Sequence, residues 1–185
     1  MNQPRPLDMN GAATLRDFFM ARDGRELERV YGSLAECCRK EAPAVEDWQV
    51  VEFAFNRLFV GPAALEAPPF ASVYLDTEPL VMGKTTLDVR EMYASLGLES
   101  PWKNRLPDDH ISLELDAALA MDHVALLADV AEIHDLRRQF LEHMNSWVPG
   151  FIEHIFRSSF SHPAIDYAAG CLSDWLERQL KVLKF

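Results

Sequence analysis

The spacing of apolar side chains predicts helices along most of the chain. From Leu27 to Cys38, apolar residues recur at three- and four-residue steps, so they share one face of a helix. Glycine and proline mark where such stripes end, because neither continues a helix well. Similar spacing predicts further helices over residues 13–21, 46–60, 85–96 and 163–184.

The second half of the chain follows the same pattern with more interruptions. Asp108 or Asp109 is expected to open a helix, since acidic residues favour the first turn. A weak break is predicted near Asp122. The stretch "NSWVPG" at 145–150 is predicted to end the next helix, and another short helix is expected over 150–158.

These elements together predict an all-α fold. "SVYL" at 72–75 has β-type residues, but no second apolar run lies nearby to pair with it. A chain of 185 residues is long enough to bury one core. This length fits one globular domain or two small lobes that share a core, with a connection predicted near 98–107.

Composition narrows the function classes. The net charge of −11 disfavours a nucleic-acid partner and stable binding to an anionic membrane, although solubility alone also explains it. Three cysteines without metal-binding spacing are expected to be reduced. The N-terminal stretch lacks the apolar core of a signal peptide, and no apolar run is long enough to span a bilayer. We expect a cytoplasmic protein without a metal or cofactor.

The stretch "LFVGPAALEAPPFASVYLD" at 58–76 combines three prolines with several aromatic residues. A connection this long is uncommon in a small helical domain, and its apolar content argues against disorder. The prolines restrict the backbone and lower the entropy lost on ordering. Two interpretations remain open, namely a loop packed against the core and one wall of a peptide-binding groove.

The stretch "LPDDHISLEL" at 106–115 contains four ionisable side chains close together. His110 and Glu114 are four residues apart and share a helix face. A metal site would need further ligands at matching spacing, and a general base would need a nucleophile that the sequence does not display. The residues fit either a helix cap with a hydrogen-bonded histidine or the acidic end of a groove that receives arginine.

The stretch "HMNSWVPGF" at 143–151 places Trp147 between two predicted helices, where it is expected to pack in the core. The chain has no phosphate-binding loop and no nucleophile-elbow signature, so an enzyme is not the favoured interpretation.

These three stretches, in this order, resemble the TorD/DmsD family of cytoplasmic chaperones that mature molybdoenzymes of the dimethyl-sulfoxide-reductase type. The similarity extends from Phe55 to Phe151, and Phe70 stands where relatives often have tryptophan. The matching residues are Leu58, Phe59, Gly61, Pro62, Pro68, Pro69, Ser72, Val73, Tyr74, Pro107, Asp109, His110, His143, Met144 and Trp147.

The resemblance implies binding of the twin-arginine leader peptide of a molybdoenzyme, which delays export until the cofactor is inserted. It implies a single all-helical domain over 1–185, with N-terminal and C-terminal helical parts joined near 98–107. It also implies contact with molybdenum-cofactor biosynthesis proteins, and it leaves monomer and homodimer both open. Asp109→Asn is expected to weaken peptide binding with little loss of stability. The family's peptide-binding residues correspond to Pro69, Phe70, Tyr74, Pro107, Asp109 and His110.

Two other functions remain open after the resemblance. One is a nucleotide-binding or hydrolytic protein that uses Asp109 and His110. The other is an accessory subunit of an oxidoreductase complex.

Overall fold

A computed structural model describes residues 9–38, 40–78, 81–100, 102, 105–127 and 131–183. Eight α-helices account for most of this part of the chain, and its only β-type pairing is an isolated bridge. The predicted all-α fold is confirmed. The helices are α1 Met9–Phe19, α2 Gly24–Cys37, α3 Trp48–Phe55, α4 Ala71–Leu75, α5 Lys84–Ser95, α6 Ile111–Leu127, α7 Ala131–Arg157 and α8 Pro163–Val182.

One core joins the two parts of the chain. α1 packs mainly on α6 and also contacts α2 and α8, while α7 packs on α6, α8 and α4. Large side chains such as Phe18, Phe140 and Trp175 lie fully inside this core. Burial on this scale is the main term that holds such a fold together.

Two caps follow directly from the sequence. The carboxylate of Asp23 accepts a hydrogen bond from the Glu26 backbone N–H at 2.8 Å, which starts α2. Asp47 does the same for Gln49 at the start of α3. Each bond satisfies a backbone donor that has no partner within its helix.

The predicted break near Asp122 is wrong. α6 continues through this residue to Leu127. Asp122 is buried and forms an ion pair with Arg137 of α7, whose guanidinium also donates to Gln179 at 2.6 Å. The carboxylate is therefore paired inside the core and does not mark a helix end.

The predicted break at 145–150 is also wrong, because α7 runs unbroken to Arg157 with Pro149 inside it. Proline in a helix interior costs about 3 kcal/mol. Its neighbours Trp147, Val148 and Phe151 are buried, and their burial offsets this cost. The helix predicted separately over 150–158 is the last part of α7.

The stretch after α3 contains two short helical elements, and residues 61–69 between them have no regular secondary structure. α3 ends in a π-helical turn, Asn56–Val60, and Gly61 then adopts a φ of 101° that favours glycine. The short helix α4 lies further along, in a stretch where no periodicity was apparent. The predicted junction at 98–107 is only partly described, and Lys184, the predicted end of the last helix, lies outside the described residues.

The cysteines differ from expectation. Cys38, just after α2, forms a disulfide with Cys171 of α8, with a Cα–Cα distance of 6.3 Å. The expectation of three reduced thiols is therefore wrong for this pair, while Cys37 is free. Spacing along the chain gave no signal for a bond between residues so far apart.

Within the described ranges, no helix combines the length and the apolar character needed to cross a bilayer.

Candidate functional site

The two segments that sequence analysis singled out lie against each other. Phe70 and His110 form an antiparallel bridge. The Ala71 backbone N–H donates to the Asp109 carbonyl at 3.0 Å, and the Ile111 N–H donates to the Pro69 carbonyl at 2.9 Å. We call residues 69–75 and 107–112 together the clasp.

Asp109 holds the clasp together from inside. Its Oδ2 accepts from the Ser72 backbone N–H at 2.8 Å, and its Oδ1 accepts from the Thr86 hydroxyl at 2.9 Å. The side chain is 0% exposed. The carboxylate thus caps the start of α4 and ties it to α5, so it is not an open acidic end of a groove.

His110 is a neutral cap. Its Nδ1 accepts from the Ser112 backbone N–H at 3.1 Å, and its ring meets Phe70 edge-on with centroids 5.3 Å apart. Burial lowers the pKa of His110 to about 3. Asp109 bonds to Ser72 and Thr86 rather than to His110, so the two do not form the base-and-carboxylate pair that a hydrolytic site would need.

A second contact fixes the clasp from the side of α5. Asp108 forms an ion pair with Arg90 at 2.6 Å, and the Tyr93 hydroxyl donates to the Asp108 carbonyl at 2.9 Å. Sequence analysis missed Arg90 and Tyr93. The only available signal was their helical spacing of three, which places them on one face of α5.

His143 and Trp147 of α7 both reach Glu114 of α6. His143 Nε2 lies 2.9 Å from Glu114 Oε1, and the Trp147 indole N–H donates to Oε2 at 2.9 Å. Trp147 is buried as expected, but its polar partner was not foreseen. Glu114 is fully buried, and these two side chains satisfy both of its oxygens.

Burial and pairing act together on this cluster. Burial raises the pKa of Glu114, while His143 and Trp147 oppose the rise. Burial alone would lower the pKa of His143, but attraction to the Glu114 carboxylate and the hydrogen bond to it raise the pKa overall. Because the pKa values of Glu114 and His143 are both raised, each shift favours a bound proton on this pair.

Tyr74 joins the clasp to α7. Its ring stacks on Trp147 with centroids 5.7 Å apart and meets His154 edge-on at 5.3 Å. A Cβ at Gly150 would lie 3.3 Å from Cδ1 of Tyr74, so glycine allows the ring to approach the helix. Burial raises the pKa of the Tyr74 phenol.

The other motif residues pack or turn. Leu58 and Phe59 are buried, and Phe59 contacts Phe151 with ring centroids 5.7 Å apart. Gly61 supplies the turn, Pro62 is exposed and Pro68 is half-buried. Within the clasp, Pro69, Phe70 and Ser72 are buried, while Tyr74 and Pro107 are partly exposed.

Unpaired polar atoms concentrate in the clasp. In the part of the chain that the structure describes, four buried side-chain polar atoms have no hydrogen-bond partner. Three of them belong to the clasp, namely Ser72 Oγ, Tyr74 OH and Ser112 Oγ; the fourth is Trp175 Nε1. Buried polar atoms are nearly always paired, so this concentration marks the clasp as unusual.

A cavity of about 690 Å³ opens beside the clasp. It lies between the end of α1, the connection before the clasp and the first turns of α6. Met20, Trp102, Leu106 and Leu113 give it an apolar surface. Charged and polar residues complete the lining: Arg16, Asp17, Arg22, Arg105, Ser112 and Asp116.

Most of the chain matches the model of a known protein family. The family model described as nitrate reductase delta subunit matches residues 12–153, which include the clasp and the Glu114 cluster. The chain belongs to this family, the TorD/DmsD family. The resemblance inferred from the sequence is confirmed.

Individual TorD/DmsD relatives agree with this assignment. The chain is 33% identical over 110 residues to the Tat proofreading chaperone DmsD of Salmonella typhi, covering 60% of this chain and 50% of that protein. It is 32% identical over 117 residues to the chaperone protein TorD of Psychrobacter sp., covering 60% and 53%. The chain thus spans about half the length of these relatives, whose names describe chaperones rather than enzymes.

A solved structure shares the fold. A protein from Archaeoglobus fulgidus, assigned as a redox enzyme maturation protein, superposes with a TM-score of 0.56 at 18% identity. The alignment covers 100% of this chain and 98% of that one. The likeness shows that the helical arrangement is one that solved proteins adopt.

Proposed function

We propose that this protein is a cytoplasmic maturation chaperone that binds the twin-arginine leader peptide of a molybdoenzyme. Membership of the TorD/DmsD family and the chaperone names of its relatives support this proposal. The net charge of −11 supports it as well, because an acidic protein attracts a peptide that carries two arginines.

The observation that carries the proposal is the cavity beside the clasp, on whose wall Ser112 Oγ is buried without a hydrogen-bond partner. Extended peptides present backbone donors and acceptors as well as side chains. A leader peptide laid along this cavity offers a hydrogen bond to Ser112 Oγ, the unpaired clasp atom whose residue lines the cavity. Its apolar stretch fits the wall formed by Met20, Leu106 and Leu113.

The predicted peptide-binding residues then divide into two groups by their exposure. Tyr74 and Pro107 are partly exposed and contact the peptide. Pro69, Phe70, Asp109 and His110 are buried and hold the surface in shape from below. The expected direct contact between the Asp109 carboxylate and an arginine does not fit this burial.

Tyr74→Phe tests the role of the unpaired atoms. The change removes only the hydroxyl, which has no partner, so the free energy of unfolding should stay the same or rise. Affinity for a synthetic peptide with two arginines followed by an apolar stretch should fall severalfold. Isothermal titration calorimetry gives the affinity and urea unfolding gives the stability.

Tyr31→Phe is the matched control, because the Tyr31 hydroxyl donates to the Pro43 carbonyl at 2.9 Å. This variant should lose about 1 kcal/mol of stability and bind the peptide normally. If the unchanged protein does not bind the peptide, the proposed function is wrong. If Tyr74→Phe and Tyr31→Phe bind equally well, the unpaired atoms play no part in binding.

A further inference from the structure

Two carboxylates in the cavity already share one guanidinium group. Arg16 Nε lies 2.9 Å from Asp17 Oδ1, and Arg16 Nη1 lies 2.6 Å from Asp116 Oδ1. We propose that Asp17 and Asp116, called here the carboxylate pair, form a binding site for an arginine side chain of the bound peptide. This inference rests on the proposed function and specifies which residues recognise the charge.

The carboxylate pair has unused capacity. Each carboxylate bonds to Arg16 through Oδ1, and neither Oδ2 makes a hydrogen bond within the described part of the chain. An ionised carboxylate accepts about four hydrogen bonds, so both can take further N–H donors. Two negative charges and one positive charge leave a local net charge of −1 at the pair and Arg16, which attracts a second guanidinium group, although Arg22 and Arg105 also line the cavity.

The pair is also accessible. The side chains of Asp17 and Asp116 are 46% and 42% exposed, and both line the cavity. Arginine suits such a site better than lysine, because its planar fork bonds two oxygens at once. The exposed Trp102 indole lines the same cavity, and it offers a face on which a guanidinium group stacks.

Ser112 points independently to a ligand at this place. It lines the same cavity on the first turn of α6, is 0% exposed, and its Oγ has no hydrogen-bond partner. A peptide backbone group beside the carboxylate pair would supply that partner. The cost of leaving this hydroxyl unpaired in the free protein is then recovered on binding.

One cation in the cavity opposes an arginine ligand. Arg22 is paired with Glu26, but Arg105 lines the cavity and repels an incoming guanidinium. The charge of Arg105 therefore changes the affinity for a cationic ligand and for an anionic ligand in opposite directions. Arg105→Gln strengthens binding of an arginine peptide and weakens binding of an anion.

The experiment compares two synthetic peptides by isothermal titration calorimetry on the full chain. One carries two consecutive arginines followed by an apolar stretch, and the other carries lysines in their place. The double variant Asp17→Asn/Asp116→Asn should bind the arginine peptide about tenfold more weakly than the unchanged protein, since half-exposed ion pairs each contribute little. It should also lose the preference for arginine over lysine.

The double variant Asp135→Asn/Glu177→Gln is the matched control. It changes the net charge by the same amount at two exposed residues that do not line the cavity. Its affinity for the arginine peptide should fall less, and its preference for arginine should remain. Equal affinities for the two double variants would overturn the assignment.

Two single variants complete the test. Ser112→Ala should bind the arginine peptide severalfold more weakly without loss of stability, and Arg105→Gln should bind it more tightly. Unchanged binding by Ser112→Ala, or weaker binding by Arg105→Gln, would contradict the assignment while leaving the proposed function intact. Failure of the unchanged protein to bind the arginine peptide would overturn both.

Discussion

At the scale of single residues, Asp109 shows what a sequence motif does and does not reveal. Its position beside His110 indicated an important residue and placed it correctly next to the loop that contains Phe70. Sequence did not reveal that its carboxylate faces inward, because the bonds to Ser72 and Thr86 join residues far away in the chain. The residue type indicated a polar side chain, but the inward orientation of the Asp109 carboxylate depends on the fold.

The burial of Asp109 changes the expectation for Asp109→Asn. An asparagine side chain has a single acceptor oxygen, whereas both carboxylate oxygens are used here. We expect the variant to lose about 1–3 kcal/mol of stability in urea unfolding. Glu91→Gln removes the same charge from an exposed position on α5 and should leave stability nearly unchanged. Equal stabilities of the two variants would contradict the internal role of Asp109.

At the scale of elements, the long periodic helices were predictable and the special ones were not. α5 begins and ends within one residue of the predicted helix at 85–96. The five residues of α4 are too few to show a period, and its start is capped by Asp109 from another segment. Pro149 predicted a helix break because proline disrupts a helix locally. The helix continues because the side chains around Pro149 are buried in the core.

Pro149→Ala tests that account of α7. Pro149 is exposed, so alanine there removes the proline penalty without disturbing the core. After allowance for the greater freedom of the unfolded chain, we expect a gain of about 1–2 kcal/mol in urea unfolding. Gln139→Ala, at an exposed position on the same helix, should gain only a few tenths of a kcal/mol. A loss of stability in Pro149→Ala would show that the helix needs proline at this point.

At the scale of the whole molecule, two buried ion pairs connect α6 to α7, namely Asp122–Arg137 and Glu114–His143, and the second depends on pH. The raised pKa of His143 and the raised pKa of Glu114 both mean that the folded protein holds protons more tightly than the unfolded chain. The stability that His143 contributes is therefore present below pH 6.5, its ordinary pKa, and is lost as the pH rises through the raised value.

The free energy of unfolding should accordingly fall as the pH rises above 6.5. Glu114→Gln removes the charge that holds the proton on His143, so this variant should show a weaker dependence on pH. Urea unfolding across a pH series measures both slopes. His123→Gln replaces an exposed histidine on α6 and should keep the slope of the unchanged protein. Identical slopes for the unchanged protein and Glu114→Gln would contradict the role of the pair.

The bridge between Phe70 and His110 also bears on how the family can change in length. It closes the chain at the base of the excursion formed by residues 71–109, so the ends of this excursion stay together whatever lies between them. Doubling the length of a closed loop costs only about 0.6 kcal/mol. Insertions and deletions beyond α4 should therefore be tolerated in evolution, so that related chains can acquire different surfaces while the helical core keeps its alignment.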